Sequence, residues 1–203
     1  MKRSELREFG LSQLALIENT DDSTNHCNNS LEAYEFNPSC LDDDYSWLTC
    51  VLGLKAAVHG NFGIGALLVD STGNVLEWGH NEVFYPYFRS DRHAEMVVLS
   101  QFEEEHRTLH KVGAFSLYTS LEPCPMCLAR LITSGMGTVR HVAADPTGGM
   151  VHIMKNLPEV WLELSAKRVF ASARCSARLS EFAKEIFLLN VDGLNKKLER
   201  RCI

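Results

Sequence analysis

The chain has 203 residues, of which 45% are hydrophobic and 23% are charged, and its formal net charge is −6. This usage is close to that of ordinary globular domains and excludes disordered, collagen-like and low-complexity classes of protein. The length predicts one domain with short extensions, which buries its own core without disulfide bonds. The negative net charge argues against a dedicated nucleic-acid-binding protein, so a nucleic-acid partner is not favoured.

No run of apolar residues is long enough to suggest a membrane span. The most hydrophobic stretch, from Val51 to Val69, is interrupted by Lys55, His59 and Asn61, whereas a spanning helix needs about 18 or more apolar residues. Acidic residues occur before any apolar segment can begin, so we expect no secretory signal. The seven cysteines are an odd number at irregular spacing, which favours reduced thiols. We therefore expect a cytoplasmic protein with no membrane partner.

The first 41 residues are predicted to be an acidic N-terminal extension of a main domain over residues 42–203. Residues 1–44 hold ten acidic and three basic side chains, and apolar residues recur at helical spacing between Leu6 and Ile17. The segment from Asn19 to Ser30 is rich in polar residues and is predicted to be a linker. A C-terminal helical extension is expected from about residue 172.

The main domain is predicted to alternate helices and strands. We expect a first helix after Asp42, then a hairpin with a turn at residues 70–73, then further helices and strands in turn. The predicted strands cover 65–69, 74–79, 114–119, 138–143 and the region near 169–171; the predicted later helices begin near Asp91, after Pro123 and at Arg178. This pattern predicts a three-layer α/β/α fold with a central mixed five-stranded sheet.

Two short motifs contain residue types that bind metals and move protons. The first is His93-Ala94-Glu95, and the second is Pro123-Cys124-Pro125-Met126-Cys127. By composition alone, such a chain contains about 0.7 His-x-Glu triplets but only about 0.007 Pro-Cys-x-x-Cys motifs. The second motif is therefore specific, and its position downstream of the first is the signature of zinc deaminases.

Cysteine thiolates and histidine nitrogens are ligands that Zn²⁺ prefers, so His93, Cys124 and Cys127 are predicted to bind one zinc ion. The two cysteines are three residues apart at the start of a predicted helix, which places both on one face and stabilises thiolates. Three protein ligands leave the fourth tetrahedral position open for water, as in catalytic zinc sites. Glu95 is then expected to be the catalytic proton shuttle.

Two other interpretations of these residues remain open at this point. In the first, His80, His106 or Cys50 supplies a fourth zinc ligand, and Glu95 only stabilises the N-terminal turn of its helix. Such a site would be structural, and the chain would be a non-catalytic zinc-binding interaction protein. In the second interpretation, the thiols bind no metal.

The chain resembles the cytidine deaminase-like superfamily over about residues 44–149. The resemblance rests on the two motifs, on Gly65-Ala66-Leu67-Leu68-Val69 and on Gly79-His80-Asn81, which occur in the family's order. It implies the fold of that superfamily, a Zn²⁺ cofactor, and hydrolytic release of ammonia from a nucleobase or nucleoside. Dimers are common among the resembling proteins, so a homodimer is expected as well.

The resemblance also implies which residues bind the substrate. Asn81 is expected to hold the base, and Gly65 and Ala66 are expected to let the base approach the strand. Glu122 and Pro123, directly before the first zinc-binding cysteine, complete the predicted set. The residues alone leave simpler roles open, because asparagine is common in turns and glycine is common in bulges and close packing.

Within the superfamily the sequence is similar to two branches. Pro125-Met126 resembles guanine deaminases, whereas Leu121-Glu122-Pro123 resembles tRNA adenosine deaminases. The turn at 145–149 lacks the lysine that the second branch carries there. Because a protein that binds tRNA must neutralise several phosphates, the net charge of −6 favours a small substrate, such as the purine guanine. A tRNA adenosine deaminase is the alternative.

Two features of the sequence have no part in this assignment. Basic residues are concentrated at 196–201, which predicts either a phosphate-attracting patch or a solvated helix face. Four aromatic residues lie between the two family motifs at 79–81 and 93–95, where they could stack on a base or pack as a lid; they are Phe84, Tyr85, Tyr87 and Phe88.

Overall fold

The structure is a computed structural model, and it describes residues 1–18 and 21–201. Its centre is a sheet with the strand order β2-β1-β3-β4-β5. The strands are β1 Gly65–Val69, β2 Val75–His80, β3 Ser116–Leu121, β4 Thr138–Ala143 and β5 Val169–Ser172. Strand β1 is antiparallel to β2 and β3, whereas β3, β4 and β5 run parallel. The predicted mixed five-stranded sheet is therefore confirmed.

Helices cover both faces of the sheet. They are α1 Leu6–Leu14, α2 Asp22–Glu32, α3 Asp43–Val58, α4 Ala94–Glu105, α5 Pro125–Ser134, α6 Glu159–Ser165, α7 Ala177–Leu188 and α8 Val191–Glu199, with short 3-10 helices at Arg3–Glu5 and Val151–Asn156. Helices α4 and α5 pack on one face, and α3 and α7 pack on the other. The predicted three layers are present. No helix of the described residues is both long and apolar enough to cross a membrane.

Two hydrophobic clusters join these layers, because successive side chains of a strand point to opposite faces. On the first face, Ala66 and Leu68 of β1 contact the apolar side of α4 and α5, including Val98 and Leu131. On the second face, Leu67 belongs to the cluster formed with α3 and α7. The alternation places neighbouring residues of β1 in two different environments.

The prediction of a linker from Asn19 to Ser30 is wrong for the residues of this segment that the structure describes. Helix α2 begins at Asp22, because the carboxylate of Asp21 accepts hydrogen bonds from the backbone N–H groups of Ser23 and Thr24 at 2.9 and 3.0 Å. The Leu31 side chain of α2 is fully buried in the cluster around α3. The polar composition of this segment predicted a linker, although the segment forms a capped helix with only a few residues facing the core. Residues 19 and 20 lie outside the described part.

The acidic residues at the start of α3 bind other segments of the chain. Asp42 is buried and accepts hydrogen bonds from the Tyr118 hydroxyl and from the backbone and guanidinium of Arg174. Asp43 is also buried and accepts from the Tyr34 hydroxyl and the Ser176 backbone. These carboxylates tie the start of α3 to the segment between β5 and α7.

The C-terminal region contains two helices where one was predicted. Helix α7 ends at Leu188, and α8 begins after Asn190. The Asn190 side chain donates hydrogen bonds to the backbone carbonyls of Asn61 at 2.8 Å and Ala57 at 3.2 Å. The chain turns at Asn190, and α8 starts beside the segment that leads into β1.

Candidate active site

Two helix N-termini form the centre of the candidate site. His93 is the N-cap residue of α4, and Cys124 is the N-cap residue of α5; both have extended backbone conformations. Pro125 occupies the first position of α5, where its missing N–H costs no helical hydrogen bond. Cys124 follows the carboxyl end of β3, so the sheet brings it towards the start of α4.

The distances between these side chains fit a zinc site. The Sγ atoms of Cys124 and Cys127 lie 3.5 and 3.6 Å from Nδ1 of His93. Tetrahedral zinc with ligand bonds of about 2.0–2.1 Å to nitrogen and about 2.3 Å to sulfur separates two such atoms by about 3.5–3.6 Å. The three predicted ligands therefore converge at the spacing that one zinc ion requires.

None of the three residues considered as a fourth zinc ligand lies with His93, Cys124 and Cys127. Among the described residues, the metal-ligand group has three members, and none of His80, His106 and Cys50 belongs to it. His80 Nδ1 lies 3.1 Å from the carbonyl of Asn81, His106 pairs with Glu77, and Cys50 donates to a carbonyl in the core. A site with three ligands has a position left for water, which is the arrangement of catalytic zinc centres.

Glu95 is buried beside the metal ligands. Its Oε2 lies 3.4 Å from Sγ of Cys127, and its Oε1 accepts a hydrogen bond of 3.3 Å from the Thr119 hydroxyl. Burial raises the pKa of Glu95, because a charged carboxylate loses its hydration there. A carboxyl group beside the metal ligands, with its pKa raised in this way, is suited to accept a proton and return it.

The surroundings of the two cysteines shift their pKa values in opposite directions. The pKa of Cys124 is lowered to about 4, chiefly by a hydrogen bond with the Cys127 thiol and also by His93. The same hydrogen bond, together with burial and the nearby Glu95, raises the pKa of Cys127. Thiolates are the form that binds zinc, so the lowered pKa of Cys124 favours its ligand form, and a bound metal ion would favour the same form at Cys127.

Comparison with known proteins identifies this arrangement. The sequence model of the "Cytidine and deoxycytidylate deaminase zinc-binding region" matches residues 42–143. The tRNA-specific adenosine deaminase of Bacillus subtilis (strain 168) is 35% identical over 135 residues, which are 65% of this chain and 82% of that protein. This chain belongs to the cytidine and deoxycytidylate deaminase family. It is a zinc-dependent hydrolytic deaminase, so the predictions of an enzyme and of a Zn²⁺ cofactor are confirmed.

Solved structures share the fold of this deaminase. A structure from a study of tRNA:A34 deaminases has a TM-score of 0.54 at 23% identity and covers 68% of this chain and 94% of its own. Guanine deaminase from Nitrosomonas europaea has a TM-score of 0.57 at 20% identity and covers 83% of this chain and 94% of its own. Both confirm the predicted cytidine deaminase-like fold, and at such identities they carry no information about the substrate.

Asn81 directly follows the end of β2 in this deaminase. The residue is fully buried; its Oδ1 accepts from the backbone of Val83 at 3.1 Å, and its backbone donates to Ile64. Its Nδ2 is buried without a hydrogen-bond partner among the described residues. Buried amide groups are normally paired. The unpaired donor is therefore suited to a hydrogen-bond acceptor on a ligand.

Gly65 and Ala66 differ in what they face. A Cβ atom at Gly65 would lie 2.3 Å from the Thr49 carbonyl of α3, so this glycine permits close packing between α3 and β1. Ala66 is fully buried on the opposite face of the sheet and pairs in register with Thr119. Of this predicted pair, Ala66 is the residue on the same face as α4 and α5.

The Glu122 carboxylate is used inside the protein. Its Oε2 accepts from the Asp145 backbone at 3.0 Å, and its Oε1 accepts from the backbone and Nδ1 of His152 at 2.8 Å each. The carbonyl of Pro123 accepts from Met150 at 2.9 Å. Burial opposes ionisation of Glu122, but these hydrogen bonds outweigh it and lower its pKa. Glu122 and Pro123 thus anchor the 145–152 segment beside the zinc ligands.

The segment 82–92, called the aromatic loop below, joins Asn81 to His93. Its two ends are held together by an ion pair between Glu82 and Arg92 and by a backbone hydrogen bond between the same residues. The side chain of Asn61 accepts hydrogen bonds from the backbone N–H groups of Phe84 and Tyr85 at 2.8 and 3.0 Å. The loop is therefore fixed beside the site.

Sequence reasoning missed Thr119 and Asn61 as site residues. Thr119 carries no motif of its own, and only its register beside Ala66 brings its hydroxyl to Glu95. Asn61 is distant in sequence from the loop that it holds. A strand position that points towards α4 was the available signal for Thr119, whereas no local pattern identifies Asn61.

Proposed function

We propose that this deaminase converts adenine within an RNA chain to hypoxanthine, with release of ammonia. The choice of substrate rests on the 35% identity of this chain to a tRNA-specific adenosine deaminase. The matched region covers 82% of the length of that relative. The reaction class is supported by the proximity of Glu95 to the group His93, Cys124 and Cys127.

The chemistry needs a nucleophile, a proton carrier and a holder for the base. A zinc ion bound by His93, Cys124 and Cys127 would supply water with a pKa lowered to about 7. Glu95 accepts a proton as the water oxygen bonds to C6 of adenine, and it delivers that proton to ring nitrogen N1. It then carries the second water proton to the leaving amine as the C6–N bond breaks. Ammonia and the oxo-substituted ring are the products.

Asn81 is proposed to orient the ring for this attack. Its unpaired Nδ2 donor would bind an acceptor on the base, while its Oδ1 stays engaged with Val83. Thr119 is proposed as a positioning residue, because its hydroxyl holds one oxygen of Glu95 and leaves the other beside Cys127. Glu122 is proposed to act indirectly, by holding the segment 145–152 in place.

A free purine such as guanine is the second candidate substrate. The Pro125-Met126 pair and the net charge of −6 favour it. The charge argument is weaker than the sequence alone suggested, because ten of the acidic residues lie in residues 1–44 and two of them, Asp42 and Asp43, are buried in hydrogen bonds. We therefore favour RNA, which the 35% identity to the tRNA-specific relative supports.

We also propose a cytoplasmic location for a homodimer. The six described cysteines are free thiols, as a reducing compartment allows. Sedimentation of the zinc-loaded chain tests the dimer, and localisation of a tagged full-length chain tests the compartment.

The domain limits at residue 41 and at about residue 172 remain predictions, which limited proteolysis can test.

The test of the substrate is a panel of reactions at one salt concentration. Ammonia release is measured with guanine, adenine, cytosine and their nucleosides, and inosine formation is measured in tRNA. Inosine in tRNA without turnover of free bases supports the proposal. Turnover of a free base without inosine in tRNA would replace it with the second candidate.

A further inference from the structure

The aromatic loop presents two exposed rings beside the site. Tyr85 and Tyr87 are 59% and 63% exposed. The ring of His59 stacks on Tyr85 with an interplanar angle of 23° and a centroid distance of 6.0 Å. The loop is held at Asn61, so these rings lie on a fixed backbone.

Helix α8 and the residues directly after it place cations against this loop. The guanidinium carbon of Arg201 lies 3.6 Å above the ring of Phe88, and the Lys197 ammonium lies 5.5 Å from the ring of Phe84. Both distances are within the range of cation–π contacts. Lys196 of α8 and Arg200, the C-cap residue of this helix, are exposed. The basic run at 196–201 therefore joins the aromatic loop in one surface.

Asn190 explains why α8 lies there. Its side chain binds the backbone carbonyl of Asn61, whose own side chain holds the backbone of Phe84 and Tyr85. One asparagine pair thus fixes the start of α8 and the aromatic loop relative to each other. Helix α8 also lies outside the residues 42–143 that match the family.

We infer that the aromatic loop and α8 form a binding surface for the single-stranded RNA that flanks the target base. This inference rests on the proposed function, since it assigns the contacts of the substrate beyond the base in the site. Tyr85 and Tyr87 would stack on neighbouring bases. Lys196 and Arg200 would contact phosphates, while Lys197 and Arg201 hold the loop and add positive charge.

The combination of features favours a single strand over a duplex. Exposed rings can stack only on bases that are themselves unstacked from a helix, and proteins that bind single strands combine such rings with a basic groove. Continuity with the site supports the same assignment, because the loop joins Asn81 to His93. A strand whose base enters the site must pass the residues on either side of it.

The experiment measures RNA affinity of the zinc-loaded full chain, apart from its activity. The affinity of a fluorescent anticodon stem-loop is measured at several salt concentrations for the unmodified chain and for the double variant K196Q/R200Q. This variant leaves both cation–π contacts in place. The control K111Q/K167Q removes the same charge from exposed lysines that precede β3 and β5, at the opposite end of the sheet from the site. Thermal unfolding and zinc content verify that each variant folds.

The binding surface predicts that K196Q/R200Q weakens RNA binding about tenfold and lowers the salt slope by about 1.4, since each phosphate contact of a single strand contributes about 0.7. The variant Y87S should bind RNA about fivefold or more weakly, because the stacking ring is lost. The variant Y87F keeps the ring and should bind RNA as tightly as the unmodified chain. The control should bind like the unmodified chain.

Other outcomes separate the two proposals. If inosine forms in tRNA but K196Q/R200Q and Y87S bind RNA as tightly as the control, the surface is wrong and the proposed substrate stands. If the unmodified chain binds no RNA and deaminates only free purines, the proposed substrate is wrong and the surface falls with it. Equal loss in K196Q/R200Q and K111Q/K167Q would show that only overall charge matters, which also overturns the surface.

Discussion

The hydroxyl of Thr119 donates a hydrogen bond of 3.3 Å to Oε1 of Glu95, across the interface between β3 and α4. Both residues are buried, so this bond fixes which oxygen of the carboxylate faces Cys127. A proton shuttle must be oriented as well as present, because proton transfer requires hydrogen-bond geometry.

The variant T119V should therefore lose activity while it keeps its zinc. Valine has the shape of threonine but no donor, and a hydrogen bond to a charged group is worth about 1.5–3 kcal/mol, so kcat/KM should fall about tenfold or more. The matched control is T133V, since the Thr133 hydroxyl is exposed and bonds only to carbonyls of its own helix. Equal activity of T119V and T133V would remove the positioning role.

Zinc content should follow the three ligands. The purified chain should hold about one zinc per polypeptide, and C124A or C127A should lose it, because two ligands bind the ion far more weakly than three. The half-buried thiol of Cys40 provides the control variant C40A. Elemental analysis decides the matter: zinc retained in C124A, or lost equally in C40A, would mean that the ion binds elsewhere.

Asn81 should affect substrate binding without affecting the metal. The variant N81D keeps an oxygen for the Val83 backbone but replaces the Nδ2 donor with a second acceptor. Loss of a buried donor that a substrate requires typically costs two or more orders of magnitude in selectivity, so kcat/KM should fall about 100-fold. The control is N156D, at an exposed position. Steady-state kinetics with unchanged kcat/KM in N81D would exclude the contact.

Much of the fold could be predicted because it depends on local patterns. The strand β1 follows from a continuous apolar run, and the turn between β1 and β2 follows from its residue types. The metal ligands could also be predicted, since cysteine and histidine at this spacing are rare by chance. Each of these motifs spans only a few residues of the sequence.

The remaining features depend on contacts between distant segments. Helix α2 escaped prediction because its sequence is polar and only a few side chains face the core. The separate helix α8 depends on the bonds of Asn190 to a segment about 130 residues earlier. The substrate role of Glu122 stays a prediction, and its bonds to Asp145 and His152 become visible only in three dimensions.

Acid should destabilise the chain partly through Asp42. Burial alone would raise the pKa of Asp42, but the hydrogen bonds from Arg174 and Tyr118 outweigh it and lower the pKa. The unfolded-state pKa is about 3.9, so ionised Asp42 stabilises the fold above about pH 4, and this contribution is lost as the pH falls through the folded-state value. The variant D42N should then be less stable by about 3 kcal/mol at pH 7.

Denaturant unfolding at several pH values tests this assignment. The difference in unfolding free energy between the unmodified chain and D42N should be constant near neutral pH and shrink below about pH 4. The variant D192N, at an exposed site on α8, should show little difference at any pH. A D42N difference that does not change with pH would contradict the role of the charge.

The most direct test of the hydrolytic centre is turnover by the zinc-loaded variant E95Q. Glutamine has the size of glutamate but carries no proton between water and base, so zinc should stay near one per chain while deamination falls by about 10²–10⁴-fold or more. The control E104Q changes an exposed glutamate on the same helix and should be fully active. Deamination by E95Q at the unmodified rate would contradict the account.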